Sequence, residues 1–202
     1  TPCGTLFPYT TLFRSDFSRA YISPPVRGVM NGVQWGLSSV PPGLFLIVTF
    51  ILGWWAASWR VGVFGLIAFA LIGFMGVWDQ MIITLSLVVT AVFFSVLFGL
   101  PLGILSSRSD RFYTILRPIL DIMQTTPPFV YLVPAVMLFS IGNVPGLIAT
   151  IVFAMPPMIR LTNLGIRSVN AEFIEAAVAF GSTRRQILWK IQFPLAMPTI
   201  MA

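Results

Sequence analysis

From Met81 to Leu105 the sequence runs without a single charged residue. That exceeds the roughly 20 apolar residues a helix needs to cross a hydrocarbon core of about 30 Å. Inside lipid every backbone N–H and C=O must find a partner within the protein, which leaves helices or closed barrels as spanning structures. The rest of the chain does nothing to return this run to water. Its 202 residues are 57% hydrophobic and only 9% charged, where a soluble domain carries about 25%. The expected fold class is all-α, a multi-pass transmembrane helical bundle.

The formal charge of +6 does not argue for nucleic acid. The basic residues stand in short clusters beside apolar runs, as loops on the cytoplasmic side do, so the implied surface partner is a lipid membrane. With no histidine and one cysteine, Cys3, no metal site, disulfide framework or cofactor is expected. A phosphate-binding loop needs G-x-x-x-x-G-K-[ST], but the one lysine, Lys190, follows Trp189. If ATP drives anything here, it is hydrolysed on another polypeptide, and the chain itself is no enzyme.

Thr5 to Ser15, TLFPYTTLFRS, matches the in-frame translation of a sequencing-library adapter, so residues 1–15, Cys3 included, are set aside as an artefact. Asp16 to Pro42 reads as an extramembrane tail with a short interfacial helix around Val26 to Leu37. Spans are expected at Gly43–Ser58, Gly62–Trp78, Met81–Leu105, Ile115–Ser140 and Leu147–Leu161, with a sixth starting at Leu195. The first is short for a span, although Val40 and Trp59 offer to extend it. The fourth is interrupted by Pro127-Pro128 and Pro134, and Gly142 to Gly146 reads as a tight turn. Ala202 falls inside an apolar run, so the chain reads as a fragment at both ends. Arg108, Arg111 and Arg117 flank one loop; Arg160, Arg167, Arg184, Arg185 and Lys190 flank another, two spans later. Both are then cytoplasmic and the N-terminus extracytoplasmic.

The most specific segment is polar and basic: NAEFIEAAVAFGSTRRQILWKIQFP, Asn170 to Pro194. Phe173, Ile174, Ala177 and Phe180 recur at helical spacing behind Asn170, a residue suited to an N-cap. Gly181 suits the left-handed end of that helix. Thr183 and Gln186 have capping-box spacing for a second helix, which Pro194 is expected to stop. By periodicity alone this is a surface hairpin between spans. The residues Glu175-Ala176-Ala177, then Gly181, Ile191 and Pro194, say more. They resemble the EAA loop of the membrane-spanning subunits of ABC importers, with Phe193 where that pattern has Leu.

Similarity widens beyond the loop. The run MQTTPPFVYLVPAVMLFSIGNVPGLIATIVFAMPPMIRLTNLGIRSVNAEFIEAA resembles the permease subunits of glycine betaine/proline betaine importers, including choline-transporting relatives. The resemblance covers roughly Val40 to Ala202. It implies a type I importer permease fold, truncated at its C-terminus. Two extra helices would occupy 43–80, and the common core 81–202, with the coupling hairpin at 168–194. It also implies an ATP-binding subunit docked on the hairpin, an extracytoplasmic solute-binding protein or domain, and a second permease copy forming a homodimer.

Asp121, Gln124, Thr125, Thr126 and Tyr131 are candidates for the solute pathway. Polar groups within a span are costly, and prolines free backbone carbonyls beside them. Phe129, Phe139 and Phe153 join Tyr131 as rings able to face a quaternary ammonium ion. The plainer alternatives are satisfaction by neighbouring helices for the polar residues and structural contacts for the rings. Beside the betaine reading stand a scaffolding membrane protein without transport, for which the EAA spacing would be accidental, and two rival transporters. One is an ABC importer for another small solute such as an amino acid. The other is an ion-coupled secondary transporter, which would call for internal repeats and paired intramembrane charges; of the latter Asp121 is the only candidate.

Overall fold

The computed structural model describes residues 23–139 and 141–201; the adapter-like stretch lies outside the described residues. All described regular structure is helical, and the chain divides into two compact units, residues 1–90 and 91–202.

In the first unit α1 (Ser23–Ser38) covers the expected interfacial helix and meets α2 (Pro42–Ala56) at a bend of 98°. The bend falls at Pro41-Pro42, where a residue preceding proline is driven out of the helical region. Helix α3 (Trp59–Phe74) follows after two residues. At 1.5 Å per residue, α2 and α3 are each about 22–24 Å long, less than the hydrocarbon core. Trp59 and Trp78, expected at the ends of spans, instead begin helices. The two short helices form a tight hairpin because glycines face each other. A Cβ on Gly53 would lie 2.9 Å from the Gly62 Cα, and one on Gly62 would lie 2.7 Å from the Phe50 carbonyl oxygen. The Phe45 ring packs edge-on against Phe69 and Trp78, with centroids 5.3 and 5.4 Å away.

Helix α4 (Trp78–Arg108) contains the charge-free run and continues into the second unit. After it come α5 (Asp110–Thr125), α6 (Pro128–Phe139) and α7 (Asn143–Arg167). Then follow α8 (Ala171–Ala179), α9 (Arg184–Ile187), a π-helical turn (Leu188–Gln192) and α10 (Phe193–Ile200). Among the described residues, α4 and α7 are the two helices long and apolar enough to cross a membrane singly.

The expected interruption of the segment 115–140 falls at Pro127-Pro128, where α5 and α6 meet at 94°, as in a broken span or a re-entrant loop. Pro127 has no N–H to donate and Thr126 before it is extended at ψ 125, so the helix cannot continue in line. The tight turn at 142–146 is shorter than expected. Gly142 (φ +155) precedes a helix that already starts at Asn143, with Pro145 tolerated in its first turn. Nor does Pro194 stop the second limb of the hairpin, where the sequence leads one to expect an end. The π turn bonds the Phe193 N–H to the Leu188 carbonyl, five residues back, and the widened helix runs on through Pro194 into α10.

The second unit is assembled on α7, against which α5, α6 and α10 all pack. On α4, Gly99 and Gly103 let α7 come close. A Cβ on Gly103 would lie 2.5 Å from the Thr162 Cβ, and one on Gly99 would lie 3.0 Å from the Met158 Cγ. Gly165 lets α10 approach α7 closely, with the Ala196 carbonyl oxygen 3.1 Å from its virtual Cβ. Ile166, Leu188, Ala196 and Ile200 form a core below the hairpin, joined by Ile104, Met158 and Phe193. Phe193, the residue departing from the EAA pattern, thus fills an apolar position.

Candidate functional site

The hairpin is built by its backbone. Asn170 caps α8, its side chain accepting a bond from the Glu172 N–H at 3.1 Å. At the other end the Gly181 N–H bonds to the Val178 carbonyl and the Ser182 N–H to the Ala177 carbonyl, both at 2.9 Å. These are the paired bonds of a Schellman ending, which needs a left-handed residue where Gly181 sits, at φ +77. The spacing of Ala177 and Gly181 is thereby explained, since one supplies the carbonyl and the other the turn. Thr183 then opens the second limb with a complete capping box. Its N–H donates to Gln186 Oε1 at 2.8 Å, and the Gln186 N–H donates to Thr183 Oγ1 at 3.4 Å. A Schellman ending and a capping box, with only Gly181 and Ser182 between the caps Phe180 and Thr183, make a stiff elbow.

That elbow places the motif residues unequally. Ala177 is buried, Ile191 half-buried, and Glu175, Ala176, Gly181 and Pro194 are exposed. Gly181 and Ile191 line one open groove of about 430 Å³ with Phe180, Ser182, Gln186 and Lys190; Glu175, Ala176 and Pro194 lie outside it. The Glu175 carboxylate has no ion-pair or hydrogen-bond partner among the described residues. Large apolar side chains also stand out from the hairpin, Phe180 at 90% exposure and Trp189 at 57%.

Below the hairpin lies a polar seam that sequence reasoning missed. Arg167, last residue of α7, donates to Asp110 Oδ1 at 2.6 Å and to the Ser106 carbonyl at 2.9 Å, and lies 5.7 Å from the Tyr113 ring centroid. Buried Asn163 donates to Ser106 Oγ at 2.8 Å. Farther along, Arg160 pairs with Asp121. A signal existed: Arg160 and Arg167 are about two turns apart and Asp110 and Asp121 about three, so each pair shares one helix face.

The pathway candidates gather at the break between α5 and α6. Asp121 is held by Arg160, Thr125 Oγ1 bonds back to the Asp121 carbonyl at 2.9 Å, and Thr126 caps α5. Tyr131 donates its hydroxyl across the break to the Ile122 carbonyl at 3.2 Å, while Gln124 is exposed. Phe129 and Phe153 are exposed and Phe139 is buried, so the rings do not share one environment. No group of three metal-ligating side chains occurs among the described residues.

Residues 95–202, from the middle of α4 through the elbow, match the family described as the binding-protein-dependent transport system inner membrane component. The chain belongs to that family. It is 51% identical over 192 residues to the glycine betaine/proline betaine transport system permease protein ProW of Escherichia coli (strain K12), covering 95% of this chain and 54% of that one. It is 49% identical over 181 residues to the glycine betaine transport system permease protein OpuAB of Bacillus subtilis (strain 168), covering 90% and 64%. It is 44% identical over 181 residues to the glycine betaine/carnitine transport permease protein GbuB of Listeria monocytogenes, covering 88% and 64%. The chain thus spans roughly half to two thirds of these relatives. The family description and the apolar helices agree on a membrane component.

Proposed function

We propose that this chain is the membrane-spanning part of an ATP-driven importer for quaternary ammonium osmolytes such as glycine betaine, proline betaine or choline. The observation that carries the reading is the capped elbow. It has the EAA–Gly–Ile–Pro spacing, a Glu175 unpaired among the described residues and an exposed Ala176, and it sits in a chain 51% identical to a betaine permease. An ATP-binding subunit docks on the hairpin at 168–194. Small Ala176 lets it approach closely, Glu175 anchors it, and Gly181 holds the bend. A solute-binding protein or domain delivers the osmolyte from outside, and two permease copies form the pathway. ATP binding draws the two hairpins together, and the helices rock between inward-facing and outward-facing arrangements. The hairpin is cytoplasmic and the N-terminus extracytoplasmic. Gln124, Thr125, Thr126 and Tyr131 border the solute's route at the α5–α6 break, with Asp121 beside them.

Membership of a binding-protein-dependent family speaks against the ion-coupled rival. Cargo is tested by uptake. The full-length protein, reconstituted with its ATPase subunit and binding protein, takes up radiolabelled glycine betaine and not methionine; the reverse preference would reassign the solute.

A further inference from the structure

The seam between α5 and α7 is fastened at two points. Arg167 with Asp110 holds the end next to the hairpin, and Arg160 with Asp121 holds the end next to the Pro127-Pro128 break. A single ion pair between helices leaves them free to pivot about it. Two pairs separated by about 16 Å along α5 remove that freedom and fix the register as well. The side chains are 34% and 50% exposed in one pair and 38% and 87% in the other, so each pair alone holds only weakly and the register depends on the two acting together.

Both ends of the seam connect to something. Arg167 is followed by the cap Ser168 and then by Asn170, where the hairpin begins, and its bond to the Ser106 carbonyl also ties in the last turn of α4. Asp121 lies one turn before the break, whose far side is tied back by Tyr131 to the Ile122 carbonyl.

We propose that Asp110–Arg167 and Asp121–Arg160 form a two-point clamp making α5 and α7 one lever between the hairpin and the α5–α6 break. Displacement of the hairpin then reaches Gln124–Thr126 undiminished. Asp121 and Arg160 are positioning residues for the transport cycle and do not touch the solute. The inference rests on the importer reading above.

The test measures glycine betaine taken up per ATP hydrolysed by the full-length protein with its ATPase subunit and binding protein in liposomes. Arg160→Gln and Asp121→Asn each assemble and hydrolyse ATP, but uptake per ATP falls at least tenfold while the KM for betaine is unchanged. The exchanged pair, Asp121→Arg with Arg160→Asp, returns the ratio to within threefold of the original. Unchanged ratios in the single variants overturn the clamp. So does a raised KM with no recovery on exchange, because Asp121 would then act on the solute. A second route does not need the charges. In a full-length background freed of its native cysteines, Asp121→Cys and Arg160→Cys joined by a short bifunctional thiol reagent keep uptake intact, whereas abolished uptake shows that α5 and α7 must slide and overturns the clamp. Failure of the unaltered protein to couple ATP to betaine uptake is a separate result, and it overturns the importer reading itself along with the clamp.

Discussion

Gly181 and Gly103 show two different reasons for a glycine, and substitutions at them act differently. At Gly181 the reason is conformation. Its φ of +77 costs an L-residue about 1–2 kcal/mol, yet no atom lies within 4 Å of a Cβ placed there. Gly181→Arg therefore leaves membrane insertion and protein level intact, while a long cation at the elbow separates ATP hydrolysis from uptake in the full-length complex. Unchanged uptake per ATP would remove Gly181 from the docking surface. At Gly103 the reason is space. A Cβ there meets the Thr162 Cβ at 2.5 Å and the Ile159 carbonyl at 3.1 Å, neither of which can swing aside. Gly103→Ala is expected to cost about 1–3 kcal/mol by overfilling the contact. Gly99→Ala meets the flexible Met158 side chain and costs less. Thermal unfolding in detergent should rank the two in that order.

At the scale of elements, the hairpin's stiffness comes from its caps more than from its length. Helix α9 is four residues long before the π turn begins, too short to hold itself together in isolation. Its start depends on the Thr183–Gln186 box. Thr183→Ala removes the side-chain acceptor and should weaken the limb by about 1 kcal/mol, while Thr183→Ser, which keeps the hydroxyl, should change little. Amide hydrogen exchange at Gln186 and Ile187 is the measurement, with roughly fivefold faster exchange for the alanine variant. The π turn has a similar local cause. Pro194 cannot donate to a carbonyl four residues back, and bonding five residues back lets α10 keep Ala196 and Ile200 in the core with Ile166.

For the whole molecule the open structural question is sidedness, and the proposed arrangement makes a definite prediction. In a background freed of native cysteines, a cysteine at exposed Arg185 reacts with a membrane-impermeant thiol reagent in inverted vesicles and not in intact cells. A cysteine at exposed Asp79 does the opposite. Labelling of Arg185→Cys from outside the cell would place the hairpin on the wrong face for any ATPase subunit.

Much of this protein was determined by local chemistry that one sequence displays. A charge-free run too long for water made α4 a membrane helix. Asn170, Gly181, Thr183 and Gln186 set the elbow because caps and left-handed turns involve residues only a few positions apart. Tertiary structure decided what depends on partners distant in the chain. Whether Pro127-Pro128 would kink a span or turn it by 94° depends on what α6 packs against, which is α7. Whether Pro194 would end a helix depended on a core that rewards continuing it. The charges of Asp110, Asp121, Arg160 and Arg167 looked like separate loop and span features. Pairing them required α5 and α7 to lie side by side, because an ion pair is set by distance in space and not along the chain.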